Sequence, residues 1–203
     1  MSIRIVLAGI SHPGNIGAAA RAMKTMGLDR LCLVAPGRFP AAEATVMAAG
    51  ADDVLERAQV FDDVRSAVAD CGLVVGTTAR ARHLPWRVLE PREAAAEIAA
   101  ASATGEVAVL FGAERTGLTN EEIELCQRLL TIPTGPSYAS LNVAMAVQVV
   151  AYELLLASRE GLQRAPIPDL AARGQARLAE LYLAWGRPDE ARKYQSAEAP
   201  PGS

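Results

Sequence analysis

The sequence is poor in aromatic residues and in cysteine. Phe, Trp and Tyr make up 4% of its 203 residues, so alanine, valine and leucine must fill most of the core. The three cysteines, Cys32, Cys71 and Cys126, are odd in number and far apart in apolar segments, which argues against disulfide bonds and zinc sites. We therefore expect free, buried thiols in a reducing compartment.

Apolar runs long enough to span a membrane are also missing, and the N-terminus lacks the cleavage site of a signal peptide. These absences predict a cytoplasmic protein without a membrane segment. The formal net charge of −3 argues against a nonspecific nucleic-acid coat but allows a local basic patch. All basic residues except Lys24 and Lys193 are arginine, the better bidentate phosphate ligand, although a GC-rich coding bias produces the same excess.

What the sequence does contain is a regular alternation of short apolar runs and helical patterns. Strands are predicted at Ile3–Ile10, Leu31–Ala35, Leu73–Thr77, Val107–Gly112 and Leu129–Pro133. Helices are predicted at Ile16–Met26, Ala41–Ala49, Asp62–Asp70, Pro91–Ala101, Asn120–Cys126 and Ser140–Ser158. Continuously apolar strands are typical of a parallel sheet covered on both faces, and the alternation indicates an α/β doubly wound fold. Ligands bind such sheets in the loops at the carboxyl ends of the strands.

The composition changes after Ser158 and divides the sequence into two predicted domains. Residues 1–160 form the α/β domain, and residues 161–203 form a short helical extension that begins with the linker Ala165–Pro168. Two helical pieces in the extension are separated by Gly186–Pro188, and the residues after them are expected to be disordered.

The first loop with candidate functional residues is SHPGNIGAAARAMK, at residues 11–24. Its two glycines lack the spacing of a dinucleotide-binding loop, and the ending of a P-loop is absent. Asn15 suits either a helix cap or a substrate contact. Arg21 shares a helical face with Lys24, and this face is either solvated scaffold or a phosphate-binding surface.

The second such loop follows the fourth predicted strand, at residues 112–117. Its glycines allow a ligand to approach the backbone closely. Glu114 and Arg115 form either a local ion pair or a phosphate contact. Thr119 with Glu122 predicts a capping box for the next helix.

The third loop precedes the long apolar helix. Prolines and a glycine at residues 133–136 prevent regular structure after the last strand. Ser140 is expected either to cap the helix or, with Asn142, to hold a ligand at its N-terminus. The apolar face of this helix suits the core or a dimer interface.

Four segments, taken in order, resemble the TrmH-type ribose 2′-O-methyltransferases of the SPOUT superfamily. They are SHPGNIGAAARAMKTMGL, VVGTTARARHLPW, FGAERTGLTNEE and SLNVAMAVQVVAYEL, and the resemblance covers about residues 3–158. It implies that residues 1–160 are a methyltransferase domain whose parallel sheet ends in a deep trefoil knot. It also implies a homodimer whose active sites take residues from both subunits.

The resemblance further implies a set of site residues, with S-adenosylmethionine as the cofactor and no metal. The implied cofactor-binding residues are Thr77, Thr78, Ala79, Leu110, Gly112, Ile132, Ala139, Ser140 and Leu141. The implied catalytic residues are Arg21, Asn15, Ser140 and Asn142. The candidate RNA contacts are Arg21, Glu114, Arg115, Arg80, Arg82 and Arg87, with Arg38 and His83 as further backbone contacts.

The implied reaction is methylation of a ribose hydroxyl in RNA, with tRNA at the first nucleotide of the anticodon loop as the expected substrate. Arg21 is the family's proposed base, but arginine stays protonated in proteins, so we favour phosphate binding and stabilisation of alkoxide charge. Three alternatives stay open. They are a ribosomal RNA methyltransferase, a non-catalytic RNA-binding dimer, and a nucleotide-dependent oxidoreductase on an ordinary doubly wound sheet.

Overall fold

The computed structural model of the chain describes residues 2–79, 87–137, 140–159, 179, 182–183, 186 and 188–193. Backbone contacts divide the chain into two compact units, Met1–Gly161 and Leu162–Ser203. The first unit contains the sheet and all sites described below. Among the described residues, no helix is both long and apolar enough to cross a lipid bilayer.

The described part of the first unit alternates strands and helices. The strands are β1 (Ile3–Ala8), β2 (Arg30–Val34), β3 (Gln59–Phe61), β4 (Cys71–Thr77), β5 (Val88–Leu89), β6 (Glu106–Phe111) and β7 (Arg128–Leu130). The helices are α1 (Pro13–Thr25), α2 (Ala42–Ala48), α3 (Asp52–Glu56), α4 (Val64–Ala67), α5 (Pro91–Ser102), α6 (Asn120–Glu124) and α7 (Val143–Arg159). The second unit contributes α8 (Pro188–Arg192), which follows Gly186 at a break that the sequence predicts.

The strands form one sheet in the order β3-β2-β1-β6-β4-β7-β5, and every neighbouring pair is parallel. This confirms the predicted α/β fold with a parallel sheet flanked by helices. The sequence does not predict β3, β5 or α3, because these elements are two to five residues long and no extended apolar run marks them. Helix α4 is shorter than predicted. Its start is fixed by Asp63, which accepts a 2.7 Å hydrogen bond from the Ser66 N–H, and it ends already at Ala67.

Strand side chains point alternately into two layers of core. On one face, Ile3, Ile5 and Leu7 of β1 join apolar residues of α1, α2, α5 and α7. On the other face, Val6 and Ala8 join residues of α4 and α6. Because helices cover both faces, β1 is buried at every position, and all of its residues except Arg4 are apolar.

The three cysteines are free thiols, as expected. Cys32 and Cys126 are buried, and Cys71 is half-buried. Burial raises the pKa of Cys71 to about 11 and that of Cys126 to about 12. These thiols therefore stay protonated at neutral pH, which suits side chains that pack in the core rather than react.

Helix α1 starts five residues after β1 and packs closely on α2. Pro13 occupies its first turn, where a missing N–H costs little. A Cβ added to Gly17 would lie 2.0 Å from the carbonyl oxygen of Ala44, far inside van der Waals contact. Gly17 therefore allows the close approach of α1 to α2 and helps to set the position of the α1 N-terminus.

We expect Gly17→Ala to destabilise the protein, although glycine-to-alanine changes inside helices are usually favourable. The added methyl group would force α1 away from α2, at a cost of about 3 kcal/mol, the upper range for overpacking. Gly105→Ala is the matched control because the space around Gly105 is open. Urea denaturation measures both variants, and equal midpoints would contradict the role assigned to Gly17.

Candidate active site

The loops that carry the sequence motifs converge at the carboxyl edge of the sheet. Strands β1, β6, β4 and β7 are neighbours in that order, and all are parallel. Their carboxyl ends therefore lie at one edge, where ligands bind in sheets of this kind. Segments more than 100 residues apart in sequence are brought into contact there.

A cavity of about 400 Å³ opens between these loops. The predicted cofactor-binding residues that line it are Thr77, Thr78, Ala79, Gly112, Ile132, Ser140 and Leu141. Leu110 does not line the cavity. Its side chain is in the core, and its carbonyl oxygen accepts a 2.8 Å hydrogen bond from Thr77 Oγ1. Ala139 lies outside the described residues.

Thr134 and Ala146 also line this cavity, although neither is among the predicted site residues. Ala146 lies four residues after Asn142, so helical periodicity places it on the same side of α7 as the motif. That signal could have identified it. Thr134 lies between two prolines in an irregular loop, and no local pattern marks it.

The loop after β6 forms a tight turn along one wall of the cavity. The Gly117 N–H donates a 2.8 Å hydrogen bond to the Ala113 carbonyl, and Gly117 adopts a φ of +70°. A Cβ added to Gly112 would lie 2.1 Å from the Leu118 nitrogen, so only glycine fits there. The predicted capping box of Thr119 and Glu122 follows the turn and starts α6.

The Glu114 carboxylate in this loop points to the start of α1. It accepts four hydrogen bonds of 3.0–3.2 Å, from the N–H groups of Ser11 and His12, the Ser11 hydroxyl and Asn15 Nδ2. Partial burial acts to raise the pKa of Glu114, but these donors outweigh it and lower the pKa to about 2. The carboxylate is therefore ionised at neutral pH and fixed inside the site.

Asn15 and Asn142 extend this network to α7. Asn142 Nδ2 donates a 2.9 Å hydrogen bond to Asn15 Oδ1, and Asn142 Oδ1 accepts one of 2.8 Å from the Ala144 N–H. Asn142 thus satisfies a free N–H in the first turn of α7, a role that the sequence offers to Ser140. Asn15 is not a cap, because α1 already begins at Pro13; its amide instead bridges Glu114 and Asn142.

Two arginines of the predicted site are exposed. The Arg21 side chain projects from α1, and Arg115 lies in the turn after β6. Among the described residues, neither guanidinium has a hydrogen-bond or ion-pair partner. The alternative in which Arg115 pairs with Glu114 is therefore not observed, and both cations are available to bind an anion.

The other predicted RNA contacts differ in their surroundings. Arg87 forms ion pairs with Glu93 and Glu97, and Arg38 lies 3.4 Å from Glu43. Arg80, Arg82 and His83 lie outside the described residues. In the described ranges, no cluster of three or more His, Cys, Asp or Glu side chains could hold a metal ion.

The geometry is that of a parallel α/β domain with a ligand cavity at the carboxyl edge of its sheet, bordered by Arg115, which is unpaired among the described residues. Residues 2–152 match the sequence profile of the SpoU rRNA Methylase family. The chain belongs to this family of methylases. The match confirms the resemblance drawn from the sequence motifs.

The similar proteins include tRNA methyltransferases. The tRNA (cytidine/uridine-2′-O-)-methyltransferase TrmJ of Pectobacterium atrosepticum is 51% identical over 162 residues, which cover 80% of this chain and 67% of that protein. The chain spans about two thirds of the length of the curated relatives it matches. The motifs quoted above resemble those of bacterial TrmJ, and these relatives bear that resemblance out.

Solved structures of similar proteins share the fold. A probable methylase family protein from Haemophilus influenzae is 44% identical, with a TM-score of 0.75, and the match covers 96% of this chain and 85% of that one. TrmJ from Z. mobilis is 36% identical, with a TM-score of 0.73, and the match covers 97% of this chain and 89% of that one.

We expect Glu114→Gln to cost about 2 kcal/mol of stability at neutral pH, because an amide cannot accept all four hydrogen bonds. The Glu114 pKa is lowered from 4.5 to about 2, so its stabilising effect is complete above about pH 4.5 and is lost toward pH 2. The stability gap between wild type and Glu114→Gln should therefore close as the pH falls through this range.

Denaturation midpoints of both proteins between pH 7 and pH 3 measure this gap. Glu124→Gln is the control, because Glu124 is exposed and has no described partner. A gap that stays constant over the whole range would show that the ionised carboxylate is not what stabilises the site.

Proposed function

We propose that the protein is an S-adenosylmethionine-dependent tRNA 2′-O-methyltransferase. Its target would be the ribose of the first nucleotide of the anticodon loop, position 32, where this is C or U. The observation that carries the proposal is the cavity at the carboxyl edge, around which residues of the family motifs meet. The relative named as a tRNA 2′-O-methyltransferase supports tRNA as the substrate.

The cavity suits S-adenosylmethionine in size and in chemistry. Its volume of about 400 Å³ lies within the usual range for small-molecule sites. Leu118 and Ile132 offer apolar surface for a base, and the hydroxyls of Thr77 and Thr78 offer polar partners. Glu114 also lines the cavity, and its negative charge complements a sulfonium. The bound cofactor would supply the reactive methyl group.

The role of the chain in this reaction is to position the ribose and to stabilise charge. Asn142 donates a hydrogen bond to Asn15, and Asn15 donates one to Glu114. Both amides are therefore oriented before substrate binds. Arg21 cannot accept a proton because its guanidinium stays charged. In this mechanism it binds an RNA phosphate and stabilises the alkoxide, and phosphate or solvent takes the proton.

The proposal includes a cytoplasmic homodimer with composite sites. The described residues that line the cavity come from the last residues of β4, β6 and β7, from the loops and from α6 and α7; none comes from α1, which carries Arg21. Helix α7 exposes Met145 and Tyr152, seven residues apart on one face, with exposed fractions of 61% and 47%. Burial of this face against a second subunit would let Arg21 reach the partner's cavity.

The trefoil knot implied by the family resemblance is also part of the proposal. Its support is the sheet order, in which the late strand β7 lies between β4 and β5. The N–H groups of Leu129 and Thr131 donate hydrogen bonds to the carbonyls of Arg87 and Leu89. The Leu130 carbonyl accepts a hydrogen bond from the Thr78 N–H. The chain after β4 and the chain at β7 are thereby held together at the cavity.

Methylation of ribosomal RNA is the second candidate function, and the description of the matching family favours it. A non-catalytic RNA-binding dimer is the third, but the presence of Asn15, Arg21 and Asn142 argues against it. The missing dinucleotide-binding spacing argues against an oxidoreductase in the same way.

The decisive experiment incubates the purified protein with S-adenosylmethionine and either total tRNA or ribosomal RNA, both from cells that lack the gene. We expect mass spectrometry to find one new ribose methyl group in tRNA, at nucleotide 32. Methylation of ribosomal RNA alone would favour the second candidate. Cofactor binding without methylation of either RNA would overturn the proposal.

Arg21→Ala should lower kcat on tRNA by at least about 100-fold, because the alkoxide charge would lose its stabilising cation. The affinity for S-adenosylmethionine should change little, since Arg21 does not line the cavity. Arg57→Ala is the control, because Arg57 is exposed and already paired with Asp53. Retention of full activity by Arg21→Ala would refute the assigned role.

Mixed dimers test whether Arg21 acts across the subunit interface. In a heterodimer of Arg21→Ala with Ser140→Trp, the first subunit has an open cavity and the second has an intact Arg21. A composite site predicts that this heterodimer regains about half of the wild-type kcat, while each parent homodimer stays inactive. An inactive heterodimer would place Arg21 and its cavity in the same subunit.

A further inference from the structure

A second cavity, of about 320 Å³, lies between the loop after β2 and the short helices that follow. Its walls come from Phe39, Pro40, Ala41, Ala44, Thr45, Asp52, Leu55, Glu56 and Ala58. None of these residues takes part in the methyl transfer proposed above. The volume is sufficient for a single planar heterocycle.

The walls combine apolar surface with two carboxylates. Phe39, Pro40 and Leu55 supply the apolar part. Asp52 and Glu56 lie one turn apart on α3, so their carboxylates share a face. Among the described residues, neither carboxylate has a hydrogen-bond or ion-pair partner. Asp53, between them, instead pairs with Lys24 and Arg57 outside the cavity.

The loop that supplies Phe39 and Pro40 to this cavity is hydrogen-bonded to the active-site edge of the sheet. The Gly37 N–H donates a 2.9 Å hydrogen bond to the Ile10 carbonyl, and Gly37 packs against Ser11, which bonds to Glu114. Phe39 follows two residues later. Arg38 lies between them in sequence, and its 3.4 Å contact with Glu43 is an exposed ion pair that a phosphate could replace.

We propose that this cavity binds a guanine base of the RNA substrate, from a nucleotide other than the methylated one. This inference rests on the proposed function. Of the four standard bases, only guanine presents two adjacent N–H donors, N1 and N2, on its Watson–Crick edge, and one carboxylate accepts both. Phe39 and Pro40 provide the surface against which the base stacks.

The other bases fit this chemistry poorly. Adenine and cytosine place a ring-nitrogen lone pair beside their amino group, and uracil flanks its single N–H with two carbonyl oxygens. Each would set a lone pair against a carboxylate and lose affinity. We assign the paired acceptor to Asp52, which is half-buried and therefore less screened by water than the exposed Glu56.

The test measures binding of nucleoside monophosphates to the full chain by isothermal titration calorimetry. Guanosine monophosphate should bind about 10-fold more tightly than inosine monophosphate, which lacks the 2-amino group, and than adenosine monophosphate. Asp52→Asn should abolish this preference. Asp62→Asn is the matched control, because Asp62 is an exposed carboxylate outside the cavity, and it should leave the preference intact.

A gain of binding provides the second readout, which a purely structural role of Asp52 would not produce. The amide of Asp52→Asn keeps an acceptor for N1–H and places a donor opposite position 2, which complements the 2-oxo group of xanthine. The variant should therefore prefer xanthosine monophosphate to guanosine monophosphate, the reverse of wild type.

Equal binding of the purine nucleotides to wild type would overturn the inference, as would a guanine preference that survives Asp52→Asn. These measurements involve no methyl transfer, so either result leaves the tRNA methylation assay unaffected. Conversely, a guanine preference in a protein that methylates no RNA would refute the proposed function, and with it the identity of the guanine as part of the RNA substrate.

Discussion

The interaction on which the active-site edge depends is the set of hydrogen bonds to the Glu114 carboxylate. Glu114 belongs to the loop after β6, and its donors are the last residues before α1 and Asn15 in its first turn. Through Asn15 the same network reaches Asn142 and the first turn of α7. One ionised group thereby links the loop after β6 to the start of α1, which also packs directly on α7.

This network requires that the backbone be placed within a few tenths of an ångström, and glycine makes that placement possible. Gly17 lets α1 lie against the Ala44 carbonyl, and Gly112 lets the turn after β6 fold back on Leu118. A side chain at either position would move one partner of the network away from the other. Gly17 and Gly112 therefore act on the packing of α1 and of the turn after β6.

Much of this could be read from the sequence, because fold class follows from features that are local. Apolar strands alternating with helical patterns predicted the parallel sheet, and the motif order predicted which loops meet at the cavity. The sequence does not predict which partners the individual polar side chains hydrogen-bond to. The sequence offers the cap of α7 to Ser140, whereas in the structure Asn142 accepts the hydrogen bond of the Ala144 N–H and donates one to Asn15 of α1. The orientation of Glu114 away from Arg115 likewise depends on donors about 100 residues away.

The arginines show how an acidic protein can select RNA by geometry. With a net charge of −3, the chain gains little from nonspecific attraction to phosphate. Many of its exposed arginines are neutralised by nearby carboxylates, as Arg87 is by Glu93 and Glu97 and Arg57 by Asp53. Arg21 and Arg115 are not neutralised by any described residue; Arg21 lies on α1, which also carries Asn15, and Arg115 directly follows Glu114. Both guanidinium groups can therefore bind phosphate, and in the proposed reaction such contacts would position the RNA backbone.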